Sequence, residues 1–237
     1  MLKENERFDQ LIKEDFSIIQ NDDVFSFSTD ALLLGHFTKP RTKDIVLDLC
    51  SGNGVIPLLL FAKHPRHIEG VEIQKTLVDM ARRTFQFNDV DEYLTMHHMD
   101  LKNVTKVFKP SQYTLVTCNP PYFKENQQHQ HQKEAHKIAR HEIMYCMIAA
   151  RHLLKEGGRL NMVHRAERLM DVLFEMRKVN IEPKKVVFIY SKVGKSAQTI
   201  VVEGRKGGNQ GLEIMPPFYI YNEDGNYSEE MKEVYYG

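Results

Sequence analysis

Tyr113 to Tyr122, YTLVTCNPPY, is the stretch on which the reading of this chain turns. Tyr113 to Cys118 is an apolar run of strand length and reads as a buried strand. Asn119-Pro120-Pro121-Tyr122 ends it abruptly, so these four residues stand at the carboxyl end of a strand, where open α/β sheets place their ligands. The chemistry they suit is specific. An exocyclic amine on a planar ring is a poor nucleophile, because its lone pair is delocalised into the ring. The Asn119 side-chain carbonyl and a main-chain carbonyl of the Pro120-Pro121 step can accept both of its N–H bonds. That favours a tetrahedral nitrogen and stabilises the positive charge that grows as it attacks, an oxyanion hole with the sign reversed. Each proline also removes a competing backbone donor and holds the preceding residue extended. Tyr122 offers a ring face on which a planar substrate can stack. Asn and Pro are also ordinary strand-ending residues, so the rest of the chain must choose between the two meanings.

On either side of this strand, strand-like and helix-like segments alternate. Ile45 to Cys50 and Ile68 to Ile73 predict short buried strands, with a helix from Pro57 to His64 between them. Leu77, Met80, Ala81, Thr84 and Phe85 fall at i, i+3, i+4, i+7 and i+8, one face of a helix. Tyr93 to Met99 predicts a third strand, and Ile143 to Leu154 an apolar helix stopped by Gly157-Gly158. Arg159 to His164 reads as a further strand, and Ala166, Leu169, Met170, Leu173 and Phe174 recur at helical spacing. Lys185 to Tyr190 and Gln198 to Val202 predict an antiparallel pair, because too few residues separate them for a crossover. Repeated βα units imply an α/β fold: a Rossmann-like, doubly wound, seven-stranded sheet, mostly parallel with an antiparallel C-terminal hairpin strand.

No internal repeat and no linker rich in Gly, Ser or Pro divides the chain. Residues 1–237 therefore read as one domain, with residues 1–40 as an N-terminal extension packed on it. Phe25 to Asp30 predicts a hairpin edge leading into a helix capped by Thr29 or Asp30. The polar, His/Gln-rich stretch Phe123 to Ala139 follows the tetrapeptide directly, where a substrate loop belongs.

Asp48-Leu49-Cys50-Ser51-Gly52-Asn53-Gly54 follows the first strand and precedes a helix. Glycines there let the backbone turn sharply and approach a ligand closely. Glu72 ends the second strand, where a carboxylate can take both hydroxyls of a ribose. Asp100 ends the third, where a carboxylate can accept an adenine amino hydrogen. A dinucleotide or S-adenosyl-L-methionine would fit this outline. The dinucleotide fingerprint wants a third glycine where this chain has Pro57. Asp48 would repel a pyrophosphate but suits a cationic amino group, so S-adenosyl-L-methionine fits better.

With these residues in place, the chain from about Phe25 to Val202 resembles the class I S-adenosylmethionine-dependent methyltransferases. More narrowly, Phe25-Ser26-Phe27-Ser28-Thr29-Asp30-Ala31-Leu32-Leu33-Leu34 is similar to the N-terminal signature of the bacterial valine-tRNA adenine-N6 methyltransferases, which modify the adenine just 3′ of the anticodon. The resemblance implies cofactor contacts at Thr29 or Asp30, Asp48, Cys50, Gly52, Gly54, Glu72, Ile73, Asp100, Leu101 and Asn119. It implies catalytic contacts from Asn119, Pro120 and Tyr122, and substrate contacts from Pro121, Tyr122, Phe123, Lys124, Lys192 and Lys195. The partner it implies is RNA, most specifically tRNA, methylated on an exocyclic adenine N6. The His-rich loop is not a hallmark of that family.

Composition narrows the alternatives. Hydrophobic residues make up 42% and charged residues 27%, as in ordinary globular chains. Lys and Arg number 32 against 32 Asp and Glu, so no global basic bias marks a nonspecific nucleic-acid binder. A local basic patch is open to Lys184 to Lys206, which carries Lys184, Lys185, Lys192, Lys195, Arg205 and Lys206 against only Glu203; Lys192, Lys195, Arg205 and Lys206 read equally as a solvated surface or a phosphate-binding strip. Cys50, Cys118 and Cys146 show no metal-ligand or disulfide spacing, and the expected compartment is reducing and cytoplasmic. No signal peptide, membrane-spanning run or lipidation motif is visible. His129, His131, His136 and His141 lack a HExxH pattern and convincing partners, so no metal is expected there. Ser51, Ser191 and Ser196 lack an ordered His/Asp partner, which argues against a hydrolase triad.

Rival functions remain on the same residues. Asn-Pro-Pro-Tyr serves a glutamine amide of a protein such as a release factor equally well, although such enzymes usually carry an added helical N-terminal domain. Guanine-N2 methylation of ribosomal RNA is a second rival. A DNA adenine methyltransferase would want a separate target-recognition region. A noncatalytic RNA- or nucleotide-binding module has no need of Asp48, Gly52, Gly54, Glu72 and Asn119 together.

Overall fold

The computed structural model describes residues 2–21, 28–63, 65, 67–121 and 132–237, and the side chains of these except 132–141. An N-terminal hairpin that the sequence reading did not mark precedes the first helix. Strands β1 (Glu6–Leu11) and β2 (Phe16–Asn21) pair antiparallel around a turn with Asp15 in the left-handed region at φ 57°. Helix α1 (Thr29–Phe37) begins after Ser28, which holds the N-cap position without a side-chain hydrogen bond. Thr29 and Asp30 are its first helical residues rather than its cap, and Phe25 to Phe27 lie outside the described residues.

The main sheet is built by β3 (Ile45–Leu49), β4 (His67–Glu72), β5 (Leu94–His98), β6 (Tyr113–Cys118), β7 (Leu154–Arg165), β8 (Ile181–Tyr190) and β9 (Ala197–Lys206). Their spatial order is β8-β9-β7-β6-β3-β4-β5, and β9 alone among these seven runs antiparallel to its neighbours. Two two-residue strands, β10 (Glu213–Ile214) and β11 (Phe218–Tyr219), pair parallel with β8, bringing the sheet to nine rather than seven strands among the described residues. The chain winds from β3 outward through β4 to β5, then returns to place β6 on the other side of β3. The switch point therefore lies between β3 and β6, where a crevice opens at the carboxyl ends of the strands.

Helices cover both faces. On one, α1, α2 (Val55–Phe61), α3 (Lys75–Phe87) and α7 (Glu229–Tyr236) bury one hydrophobic cluster; on the other, α4 (Val104–Val107), α5 (Gln132–Leu153) and α6 (Leu169–Lys178) bury a second. In α3, Leu77, Met80, Ala81, Thr84 and Phe85 are all buried, as their spacing requires. Helix α5 begins at Gln132, well inside the stretch expected as loop, because Gln, Lys, Glu and Ala propagate a helix without an apolar stripe. It runs directly into β7, which absorbs Gly157 and Gly158; Gly157 takes φ 74° within the strand and does not stop the helix.

In α6 the buried face is Val172, Glu175 and Met176, whereas Met170 is 75% and Phe174 55% exposed. Ala166 to Arg168 form a 3₁₀ turn before the α-helix. Its tighter winding rotates the following face relative to a continuous α-helical count.

Candidate active site

Leu49 pairs with Cys118, so Cys50 and Asn119 emerge side by side at the tips of β3 and β6. Asn119 is half-buried, Pro120 buried and Pro121 exposed. Tyr122, Phe123 and Lys124, expected to contact substrate, lie outside the described residues.

The turn after β3 is made by left-handed residues: Cys50 at φ 58°, Gly52 at 58° and Gly54 at 84°. A Cβ on Gly54 would stand 2.8 Å from the Phe85 ring, so the close approach of α3 also requires glycine there. The turn is braced from three sides. Ser51 N–H donates to the Val71 carbonyl (3.0 Å). Asn53 Nδ2 donates to the Ile19 carbonyl (3.0 Å), which ties the N-terminal hairpin to the turn. Gly52 N–H donates to Glu72 Oε2 (3.0 Å), while Gln74 N–H donates to Glu72 Oε1 (2.9 Å). Glu72 is thus buried at the tip of β4 with its carboxylate plane held by two amides.

Asp48, one residue inside β3, is fully buried. The Thr117 hydroxyl donates to its Oδ1 (2.6 Å), and Oδ2 is buried with no hydrogen-bond partner. Burial raises this carboxyl to about 7. Beyond β5, Asp100 accepts the Lys102 N–H (2.9 Å) and so caps the short turn Leu101–Asn103. Ile73, the apolar residue after Glu72, is 58% exposed at the strand tip, whereas Leu101 is partly buried. Asp48, Glu72 and Asp100 follow the order β3, β4, β5, so Glu72 stands two strand spacings, about 10 Å, from the β6 tip that carries Asn119.

Other expected residues lie farther off. Asp30 accepts from the Thr199 hydroxyl of β9 (3.1 Å), and burial raises its carboxyl. It is therefore anchored two strands from β6, with Thr29 half-buried beside it. Lys192 and Lys195 are exposed in the turn after β8, at the same end of the sheet but three strands from β6. The remaining basic residues do not join them. Lys184, Lys185 and Arg205 line a cleft at the opposite end with Arg41 and Arg159, and Lys206 is buried with Nζ donating to the Leu154 carbonyl (2.5 Å).

Three contributors were not legible in the sequence. Thr117 is set against Asp48 only by the register of β3 on β6. Asn53 reaches an N-terminal hairpin that the sequence reading did not mark. Glu142, on α5, keeps Oε2 buried without a hydrogen-bond partner, and burial raises its carboxyl to about 7. Its one sequence signal is its place a helical turn before Cys146.

Residues 15–187 match the family model described as methyltransferase small domain. The tRNA1(Val) (adenine(37)-N6)-methyltransferase of Shewanella sediminis is 24% identical over 217 residues, covering 86% of this chain and 88% of that relative. The protein of the same description from Aliivibrio fischeri is 34% identical over 115 residues, 48% of this chain and 47% of its own length. Among solved structures, a predicted O-methyltransferase, protein Atu636 from Agrobacterium tumefaciens, superposes with a TM-score of 0.71 at 16% identity, covering 87% of this chain and 95% of that one. That likeness is one of fold.

Proposed function

The chain belongs to the methyltransferase small domain family, and we propose that it methylates the exocyclic N6 of an adenine in the anticodon loop of a tRNA. It is a methyltransferase dependent on S-adenosyl-L-methionine. The adenine target is the reading best supported by Asn119-Pro120 at the β6 tip, beside the switch point and next to the glycine turn. The relatives named for N6 methylation of a valine tRNA point the same way. We further propose the cytoplasm as its place of work; among the described residues no helix is long and apolar enough to cross a membrane.

The strand tips fit the donor. The orphaned Asp48 Oδ2, buried and without a hydrogen-bond partner, suits a cationic amino group. A carboxylate offers about four acceptor sites; Glu72 spends two on Gly52 and Gln74, leaving two for a ribose diol. The exposed Ile73 provides an apolar face for an adenine ring, with Asp100 near its edge. Bound there, S-adenosyl-L-methionine supplies an electrophilic methyl carbon.

The remaining work belongs to the chain. Asn119 Oδ1 and the Pro120 carbonyl take the two N–H bonds of the target amine and aim its lone pair. Proline at 120 and 121 removes amide donors that would compete for those carbonyls. No strong base is needed, because a methylated aryl-ammonium loses its proton readily to water. The target base must leave its stack at about a few kcal/mol, a cost lowered where loop bases are already splayed.

Mass spectrometry of nucleosides and peptides from a deletion strain beside its parent tests this reading. The expected result is N6-methyladenosine missing from tRNA alone. Loss of a methylated glutamine with tRNA unchanged would overturn the RNA assignment.

A further inference from the structure

Cys50, Cys118 and Cys146 are far apart in sequence, yet the fold brings them together. Cys50 follows β3, Cys118 ends the adjacent β6, and Cys146 lies on α5, which shares their hydrophobic cluster. All three Sγ atoms lie within 4.8 Å of one another, and Cys118 Sγ is 3.0 Å from Cys146 Sγ. Cys118 and Cys146 are fully buried; Cys50 is partly exposed and gives the cluster a route to solvent. Glu142 precedes Cys146 by one helical turn on the same face of α5, with Oε2 buried and without a hydrogen-bond partner. The absence of ligand spacing in the sequence concealed this convergence, which the order β6-β3 creates.

We propose that Cys50, Cys118 and Cys146 bind one thiophilic divalent cation of the zinc–cadmium class, with the fourth coordination position open. Tetrahedral bonds of about 2.3 Å to sulfur place neighbouring sulfurs about 3.8 Å apart, inside the range that the three already occupy. Soft thiolates select such an ion over magnesium or calcium. Binding forms three metal–sulfur bonds, with the thiol protons released to solvent and no change of oxidation state.

The site adjoins the methyl-transfer machinery: Cys118 precedes Asn119 and Cys50 opens the glycine turn. A bound ion would clasp these two strand tips.

The test uses the reduced full-length protein without oxygen. Cadmium titration should develop the thiolate-to-cadmium charge-transfer band, saturating at one equivalent, with an upward shift in melting temperature. Cobalt should give the visible spectrum of a tetrahedral sulfur-rich site, a wild-type measurement that does not depend on how any variant folds. Cys146→Ser should lose most of the cadmium band while retaining its circular dichroism. Glu142→Gln should keep the band but weaken binding by about ten-fold, the size found for losing a group that supports the ligands from outside. No band at one equivalent in wild type, or a band undiminished in a folded Cys146→Ser variant, would overturn the assignment. Neither outcome bears on which substrate is methylated.

Discussion

Replacing Asp48 with asparagine separates two consequences of one buried carboxyl. Asp48 is fully buried, takes one hydroxyl on Oδ1 and leaves Oδ2 without a hydrogen-bond partner. Burial lifts it from an ordinary 3.8 to about 7. At 1.36 kcal/mol per pH unit, ionising it in the ligand-free fold costs roughly 4 kcal/mol once the pH exceeds both values. The sign follows from proton counting. Between 3.8 and about 7 the folded chain keeps a proton that the unfolded chain has lost, so this group lowers stability as pH rises through that window. The Asp48→Asn variant cannot ionise, but it buries an amide beside hydroxyls that do not satisfy both of its N–H bonds, at a cost of about 1–3 kcal/mol. The variant should therefore be less stable than wild type near pH 4 and more stable by about 1–3 kcal/mol near pH 8. For a chain of this size that is about 2–4 °C per kcal/mol in thermal unfolding. Donor binding should move the other way. Wild-type affinity, measured by calorimetry, should climb as pH rises toward about 7 and level off above it if, as proposed, the donor's cationic amino group binds the ionised carboxylate. The variant should bind weakly at every pH. A stability gap between the two proteins that does not change with pH would refute the argument, as would equal donor affinity.

Asn119→Ala should lower kcat by about 10²–10³-fold, the size found for removing one transition-state hydrogen-bond group, with donor affinity by calorimetry nearly unchanged; equal loss of both would assign Asn119 to donor binding instead. Gly70→Ala would place a Cβ 2.3 Å from Met96 Sδ and 2.7 Å from Ser51 Oγ. It should destabilise the fold by about 1–3 kcal/mol in denaturant unfolding and weaken donor binding through the displaced turn. Charge reversal of Lys192 and Lys195 together should weaken tRNA binding and flatten its salt dependence by about one to two in log–log slope, leaving donor affinity intact; an unchanged slope would remove both lysines from the RNA path.

The sheet was legible where a segment's neighbours impose one pattern. Tyr113 to Cys118 is a strand residue for residue, because a central strand is buried along its length. Helix α3 shows its face plainly, since Leu77 to Phe85 pack against a sheet on one side and water on the other. Helix α5 was half-hidden because its first turns carry polar residues that favour helix without displaying a face. Of the residues that marked α6, Ala166, Leu169 and Leu173 pack against the second cluster, whereas Met170 and Phe174 stay exposed. Glu72 was legible as a strand-end carboxylate, but the two amides that orient it come from the turn and from Gln74. The cysteine cluster and the Thr117–Asp48 contact depend on which strands become neighbours. Local pattern carries no such information, whereas register does.

The basic strip shows how far one topological fact reaches. Its six cations fall in one segment, which left a single local patch open. Strands β8 and β9 are antiparallel, with Lys185 opposite Glu203 and Tyr190 opposite Ala197. An antiparallel pair returns its two outer ends to one edge of the sheet and sends its turn to the other. Lys184, Lys185, Arg205 and Lys206 must then gather at one edge, while Lys192 and Lys195 ride the turn at the other. At about 3.3 Å per residue, the seven residues from Lys185 to Lys192 separate the groups by roughly 23 Å. The two sets cannot grip phosphates around a single flipped base. Only the turn shares the edge at which Asn119 emerges, so the reading that puts RNA over the strand tips needs Lys192 and Lys195 and has no use for the other four.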